Sequence, residues 1–117
     1  MSEAPADWDF ARQEQETAMV CLDLVSKGVI APGDAITLDL HFVAAGPGAD
    51  RAGFVAAMQA AGYSGTAYTD PEGQETIEAS LPGLAFGAAA IWAEEERASR
   101  IAIAFGYLPD GWGFAEP

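Results

Sequence analysis

The chain has 117 residues, a length that suits one compact domain with its own hydrophobic core. Hydrophobic residues make up 50% of it and charged residues 20%, a balance that excludes disordered and fibrous proteins. The 18 acidic and 5 basic residues give a net charge of −13, which argues against direct binding to nucleic acid or to anionic membranes. The same charge favours a basic protein partner, or serves solubility alone.

Three features bear on the cellular compartment. The single cysteine, Cys21, cannot form an internal disulfide, and its apolar helical surroundings favour a packed small hydrophobe over a nucleophile. Residues 1–9 are acidic and have no apolar core, so they do not resemble a signal peptide. The longest apolar run, residues 84–93, is too short to cross a bilayer. We therefore expect a soluble protein of the cytoplasm.

The first predicted element is a helix over about residues 8–27, because its apolar residues recur at a spacing of three and four. Asp7 is the predicted N-cap, Gly28 suits the C′ position, and Pro32 prevents the helix from continuing. The residues at this spacing form one stripe, with Cys21 and Leu24 beside it: Trp8, Ala11, Gln15, Ala18, Leu22 and Val25.

The segment from Ile36 to Phe42 alternates strictly between apolar and polar residues. This period of two predicts a strand with one buried face and one polar face. Asp39 and His41 belong to the polar face, where positions two apart on a strand lie about 7 Å from each other. They are therefore neighbours without an assured hydrogen bond, and a solvent-exposed or interface histidine is favoured over a general base.

The middle of the chain predicts a helix followed by a hairpin. Asp50 caps the helix, and Gly62 ends it. Strands over residues 63–69 and 74–81 flank an Asp-Pro-Glu-Gly segment, which has the residues of a type I turn. The dipeptide Pro82-Gly83 is expected to end the second of these strands.

A third helix, whose start is weakened by glycines, is predicted to end at Gly106. Its run of three acids, Glu94 to Glu96, is expected to form a solvent-exposed face. Residues 107–114 follow as a short, turn-like strand. The order is thus α, then β-α-β-β-α-β, which predicts one α+β domain over residues 1–117. Its core, about residues 35–114, is a ferredoxin-like βαββαβ sandwich with an antiparallel four-stranded sheet, and the first helix is extra.

Few residues offer catalytic chemistry. One Cys and one His cannot form a four-ligand zinc site, and the glycines match no phosphate-binding loop. No catalytic, cofactor or metal residue is therefore predicted. The most distinctive segment is Asp110-Gly111-Trp112-Gly113, because an exposed indole would leave a large apolar area in water. Trp112 either closes the end of the core or anchors a partner, and both roles are compatible.

At this segment the chain resembles the RraB family, the regulators of ribonuclease activity B that act as protein inhibitors of ribonuclease E. The resemblance covers nearly the whole chain, and the Asp-Gly-Trp-Gly segment is its moderately specific part. It does not include the long acidic C-terminal tail of the enterobacterial members. The similar features are an N-terminal helix, the strand over residues 36–42, a helix ending Ala61-Gly62-Tyr63, a hairpin through Thr69-Asp70-Pro71-Glu72, and a last helix ending Phe105-Gly106.

The resemblance implies a ferredoxin-like fold, no catalysis, and action by binding a protein partner. In the enterobacterial members that partner is the scaffold half of ribonuclease E, whose arginine-rich stretches would attract an acidic regulator. The alternative is a ferredoxin-like small-molecule binder or enzyme that uses the polar strand face. The candidate partner-binding residues are Asp110, Gly111, Trp112, Gly113, Asp39 and His41.

Overall fold

The computed structural model describes residues 8–116. Their fold is α+β, with three helices and one open four-stranded antiparallel sheet of strand order β2-β3-β1-β4. This arrangement is consistent with a ferredoxin-like fold. None of the described helices is long and apolar enough to cross a membrane. In chain order the elements are α1 (Phe10–Ser26), β1 (Ala35–Ala44), α2 (Arg51–Ala60), β2 (Ser64–Thr69), β3 (Glu75–Ala85), α3 (Ala88–Ala104) and β4 (Tyr107–Ala115).

Strand β1 lies in the middle of the core, between β3 and β4. Its predicted alternation is confirmed, since four alternate side chains are at most 2% exposed: Ile36, Leu38, Leu40 and Phe42. Helices α2 and α3 cover this face, and the ring of Phe54 in α2 lies 5.3 Å from that of Phe42. Each such side chain contributes about 1.5–3 kcal/mol by leaving water. The intervening polar side chains lie on the opposite face, which we call the open face.

Strand β3 is longer than predicted, because it continues through Pro82 and Gly83 to Ala85. Both residues lie opposite Thr37 in a β-bulge, where Gly83 has a φ of +78°. Strand β2 pairs with β3 only as far as Ser80. Pro82 therefore has no β2 neighbour, and its lack of an N–H costs no hydrogen bond on that side. A bulge at a strand edge is where a sheet tolerates proline.

Strand β4 is also longer and more regular than predicted. It pairs with β1 over most of its nine residues, and the turn-like Asp110-Gly111 is a bulge within it, opposite His41. Gly111 has a φ of +97°, a conformation that other residues rarely adopt. The Asp-Gly pair therefore bends the strand without reversing the chain.

Helix α1 begins two residues later than predicted, and its N-cap is Asp9, whose carboxylate accepts a hydrogen bond from the backbone N–H of Arg12. The predicted cap, Asp7, lies outside the described residues. At the other end, Gly28 has a φ of +72°, as a C′ glycine should.

The stripe of α1 at a spacing of three and four is exposed at its central positions, which are Ala11, Gln15, Ala18 and Leu22. The buried side is turned away from that stripe and centres on Thr17 and Cys21, of which Cys21 is a packed thiol as predicted. The physical reason is a polar contact with α3. Gln13 and Thr17 hydrogen-bond to Glu95 there, so satisfying a buried carboxylate outweighs burying more apolar surface.

The prediction that Glu94 to Glu96 of α3 form a solvent-exposed face is wrong for the central residue, Glu95. Glu95 is only 4% exposed. Glu94 is half-buried and accepts hydrogen bonds from the Tyr63 hydroxyl at 2.5 Å and from Arg97 at 2.7 Å. Consecutive helix positions lie about 100° apart, so one of three neighbours can face a second helix while the others do not.

Candidate functional site

The six predicted partner-binding residues lie beside one another on the paired strands β1 and β4, but only some of them line a cleft. Asp39 and His41 lie on the open face, and Gly113 is the cross-strand partner of Asp39. Asp110 and Trp112, with Gly111 between them, line a cleft between α1 and β4. The structure thus places the side chains of the predicted residues in two regions, the open face of the sheet and the cleft between α1 and β4.

On the open face, polar side chains pair across neighbouring strands. The Ser80 hydroxyl donates to Asp39 Oδ1 at 2.6 Å, and His41 Nε2 lies 3.8 Å from Glu78 Oε2. Both contacts follow from register, because Ser80 stands opposite Asp39 and Glu78 opposite His41. Asp39 therefore bonds to a serine of the neighbouring strand and does not orient the imidazole of His41.

The second region, which we call the α1–β4 cleft, has a volume of about 410 Å³. One wall is the first half of α1, and the other is the bulged segment of β4 from Pro109 to Trp112. Helix α3 contributes Glu95. Two tryptophans that are 104 positions apart in the chain, Trp8 and Trp112, both line the cleft.

Glu95 is the buried carboxylate of the α1–β4 cleft. Its oxygens accept hydrogen bonds from the Thr17 hydroxyl and from Gln13 Nε2, the latter at 3.4 Å. Neither donor carries a charge. Burial raises the pKa of Glu95 above its ordinary value, the nearby charge of Glu16 raises it further, and the two hydrogen bonds oppose this shift. The cleft therefore holds a desolvated acid that neutral groups alone stabilise.

The two tryptophans are held in different ways. Trp8 Nε1 donates to Gln13 Oε1 at 2.9 Å, which connects the indole to the polar contact between α1 and α3. Trp112 stands opposite Leu40 in the sheet and packs against Phe114, with ring centroids 6.4 Å apart. Its side chain is half-buried. It packs against the core and also lines the cleft.

The sequence interpretation missed Trp8, Gln13 and Glu95 as members of a site. A usable signal was present, because two pairs of polar residues occur at the i, i+4 spacing of one helix face: Gln13 with Thr17, and Glu95 with Ser99. Gln13 Nε2 also lies 3.3 Å from Ser99 Oγ, so the two pairs meet. Polar residues four positions apart on each of two helices indicate that the helices meet through a buried polar contact.

All five basic side chains of the protein lie in ion pairs with acids of the same chain. These pairs are Arg12–Glu16, Lys27–Asp23, Arg51–Glu75, Arg97–Glu94 and Arg100–Glu96. No basic side chain is therefore left unpaired to meet a phosphate group. In contrast, most acids among residues 8–116 have no Lys or Arg partner, so the surface attracts cations.

Within residues 8–116, no three His, Cys, Asp or Glu side chains are grouped so that they could hold a metal ion. No protein-family model matches the chain, and no curated protein is similar to it in sequence. The function must therefore be inferred from the charge, the open face and the α1–β4 cleft.

Proposed function

We propose that this protein is a non-catalytic, acidic interaction module of the cytoplasm, which binds an arginine-rich segment of a protein partner and thereby restrains that partner. The observation that carries the proposal is the pairing of every basic side chain within a chain of net charge −13. A surface of uncompensated carboxylates attracts a basic segment, speeds the encounter and repels nucleic acid.

The partner we propose is ribonuclease E, and its effect would be slower RNA decay. Support comes from the resemblance of the sequence to the RraB regulators, centred on the segment Asp110-Gly111-Trp112-Gly113. The implied target, the scaffold half of that enzyme, carries arginine-rich stretches and so has the complementary charge.

The fold that we propose is the ferredoxin-like one, with α1 as an addition to it. The strand order β2-β3-β1-β4 and the antiparallel pairing of all neighbours support this assignment. In such a sandwich the helices cover one sheet face and leave the other available to a partner. Residues 1–117 would then form one domain of this type.

The alternative function, a small-molecule binder or enzyme that uses the open face, has less support. Asp39 bonds to Ser80, and the carboxylate paired with His41 is that of Glu78, at 3.8 Å. Neither Asp39 nor His41 lines the α1–β4 cleft. A histidine general base needs a space beside it in which the substrate comes within hydrogen-bond reach of the imidazole.

The proposal is tested with three forms of ribonuclease E: the whole enzyme, its catalytic half and its scaffold half. We expect the purified protein to bind the whole enzyme and the scaffold half, and to slow RNA cleavage only where the scaffold half is present. Binding should weaken as salt rises, because surface charges are screened over about 8 Å at physiological ionic strength. Equal inhibition of the isolated catalytic half, or no binding to the whole enzyme at low salt, would contradict the proposal.

A further inference from the structure

We propose that the α1–β4 cleft binds one arginine side chain of the partner, with its guanidinium between the indoles of Trp8 and Trp112 and the carboxylate of Glu95. This inference rests on the proposed function, because the arginine belongs to the basic segment that the protein is proposed to bind. It adds where that segment is held and why arginine is preferred to lysine.

The charge of the α1–β4 cleft selects a cation. Every charged residue among its described lining residues is an acid, namely Glu16, Glu95 and Asp110. Glu16 is paired with Arg12 at 3.2 Å on the exposed side of α1, but Glu95 is buried beside neutral donors only. A buried carboxylate without a counter-ion is unfavourable, so a cation that enters the cleft gains more from this group than from a solvated acid.

The indoles make the cleft specific for a guanidinium. Cations are attracted to the faces of aromatic rings, and tryptophan is the strongest of these partners. A guanidinium is planar and weakly hydrated, so it can stack on an indole while it donates two hydrogen bonds to a carboxylate. An ammonium is compact and strongly hydrated, so it gains less from the same surroundings.

The protein already contains this arrangement elsewhere. The guanidinium of Arg97 lies 4.8 Å from the centre of the Tyr63 ring and forms an ion pair with Glu94 at 2.7 Å. Arg100 is similarly 4.2 Å from the centre of the Phe10 ring and pairs with Glu96 at 2.8 Å. In both places an aromatic ring and a glutamate hold one arginine. The α1–β4 cleft supplies the rings and the glutamate, whereas no arginine is among its described lining residues.

The size of the cleft suits a single side chain. Its volume of about 410 Å³ lies near the lower end of the range for ligand sites, which is about 300–1,000 Å³. A long side chain with a few water molecules fits such a space, whereas a helix does not. The exposed Asp110 lines the same cleft on the β4 side, so it can attract the chain that carries the arginine.

The test uses the whole protein and two synthetic peptides of equal length and charge, one rich in arginine and one in lysine. We expect the arginine peptide to bind more tightly. Three variants should each weaken its binding by about tenfold: Trp8→Ala, Trp112→Ala and Glu95→Gln. A loss of this size is what removal of one desolvated cation–aromatic contact or one charge-assisted hydrogen bond produces. The lysine peptide should respond less to the two tryptophan changes.

The chain offers matched controls for these variants. Trp92 of α3 is a half-buried indole outside the cleft, and Glu72 is an exposed acid in the hairpin turn. Trp92→Ala and Glu72→Gln should change the affinity less than about twofold. Trp112→Phe keeps an aromatic ring packed on the core, so it serves if Trp112→Ala unfolds the protein. It should still weaken binding, because phenylalanine attracts cations less than tryptophan does.

A second measurement separates this inference from the proposed function. Acetyl-arginine amide is titrated into the protein, and the indole N–H resonances of Trp8, Trp92 and Trp112 are followed by NMR. Saturable shifts at Trp8 and Trp112 but not at Trp92 support the cleft, even if no ribonuclease E segment binds. If the arginine peptide binds the native protein and the cleft variants bind it equally well, the cleft is refuted while the proposed function stands.

Discussion

The open face of the sheet and the α1–β4 cleft both contain carboxylates, but the partners of these groups differ. On the open face, Asp39 accepts a hydrogen bond from Ser80, and Glu78 lies beside His41. These pairs lie within one sheet and remain partly in contact with water. In the cleft, Glu95 is buried between two helices and has only neutral donors.

The difference shows what turns a polar surface into a binding site. A sheet face alone sets polar groups side by side, and register lets them satisfy one another. A cleft forms where a further element, here α1, stands beside the sheet and supplies a second wall. That wall removes water from Glu95, and a desolvated charge discriminates between ligands more strongly than a hydrated one.

The largest expected effect comes from the residue that lies between these two regions. Leu40 is 2% exposed, precedes His41 in β1 and stands opposite Trp112 in β4. Leu40→Ala should lower the free energy of unfolding by about 2–5 kcal/mol, because it removes buried methyl groups and leaves a cavity. Urea denaturation measures this loss. A loss below about 1 kcal/mol would contradict this expectation. It would show that the side chains around Leu40 close the cavity.

A smaller effect is expected at the bulge that shapes the cleft wall. Gly111→Ala should cost about 1–2 kcal/mol, because φ is +97° and a side chain disfavours that conformation. Gly113→Ala is the matched control, since φ there lies outside the left-handed region and an added Cβ meets nothing within 4 Å at either position. The difference in melting temperature between the two variants measures the cost of the positive φ at Gly111. Equal melting temperatures would contradict the assigned conformation of Gly111.

A pH-dependent effect is expected at Glu95. Its folded-state pKa is raised by burial above that of the unfolded chain, with Glu16 adding to the shift. The native protein should therefore lose stability as pH rises from the ordinary glutamate range through the folded-state pKa, by at most about 1.4 kcal/mol per pH unit. Glu95→Gln is neutral throughout, so its stability relative to the native protein should increase with pH across that window.

The control for Glu95→Gln is Glu96→Gln, which changes a partly exposed neighbour on the same helix. Its stability difference from the native protein should vary less across the same pH range. Chemical denaturation at several pH values gives both curves. A Glu95→Gln variant that is destabilised equally at every pH would mean that the hydrogen bonds from Thr17 and Gln13 outweigh the cost of burying the charge.

The smallest effect is expected on the open face. His41→Ala should change stability by less than about 0.5 kcal/mol and leave the affinity for an arginine-rich peptide unchanged, because the imidazole has only a 3.8 Å contact with Glu78. The same titrations used for the cleft variants measure this. A large loss of affinity with the fold intact would place the binding site on the open face and not in the α1–β4 cleft.

Much of the fold could be predicted from local pattern. The alternation from Ile36 to Phe42 indicated which side chains of β1 are buried, and Asp50 and Gly62 bound the second helix as predicted. These features depend on residues close to one another in the chain, where the geometry of a strand or a helix end sets the outcome. Of the residues that line the candidate site, those predicted from the sequence lie on the β4 side: Asp110, Gly111 and Trp112.

The sequence by itself determined the charge, the order of the elements and the buried face of β1. Tertiary structure decided which side of α1 is buried and where β4 bends. Thr17 is buried because Glu95, 78 positions away, accepts its hydrogen bond. Asp110-Gly111, a turn signal in isolation, stays within a strand because β1 pairs on both sides of it. Local propensities amount to about 1 kcal/mol or less per residue, so contacts between distant segments override them.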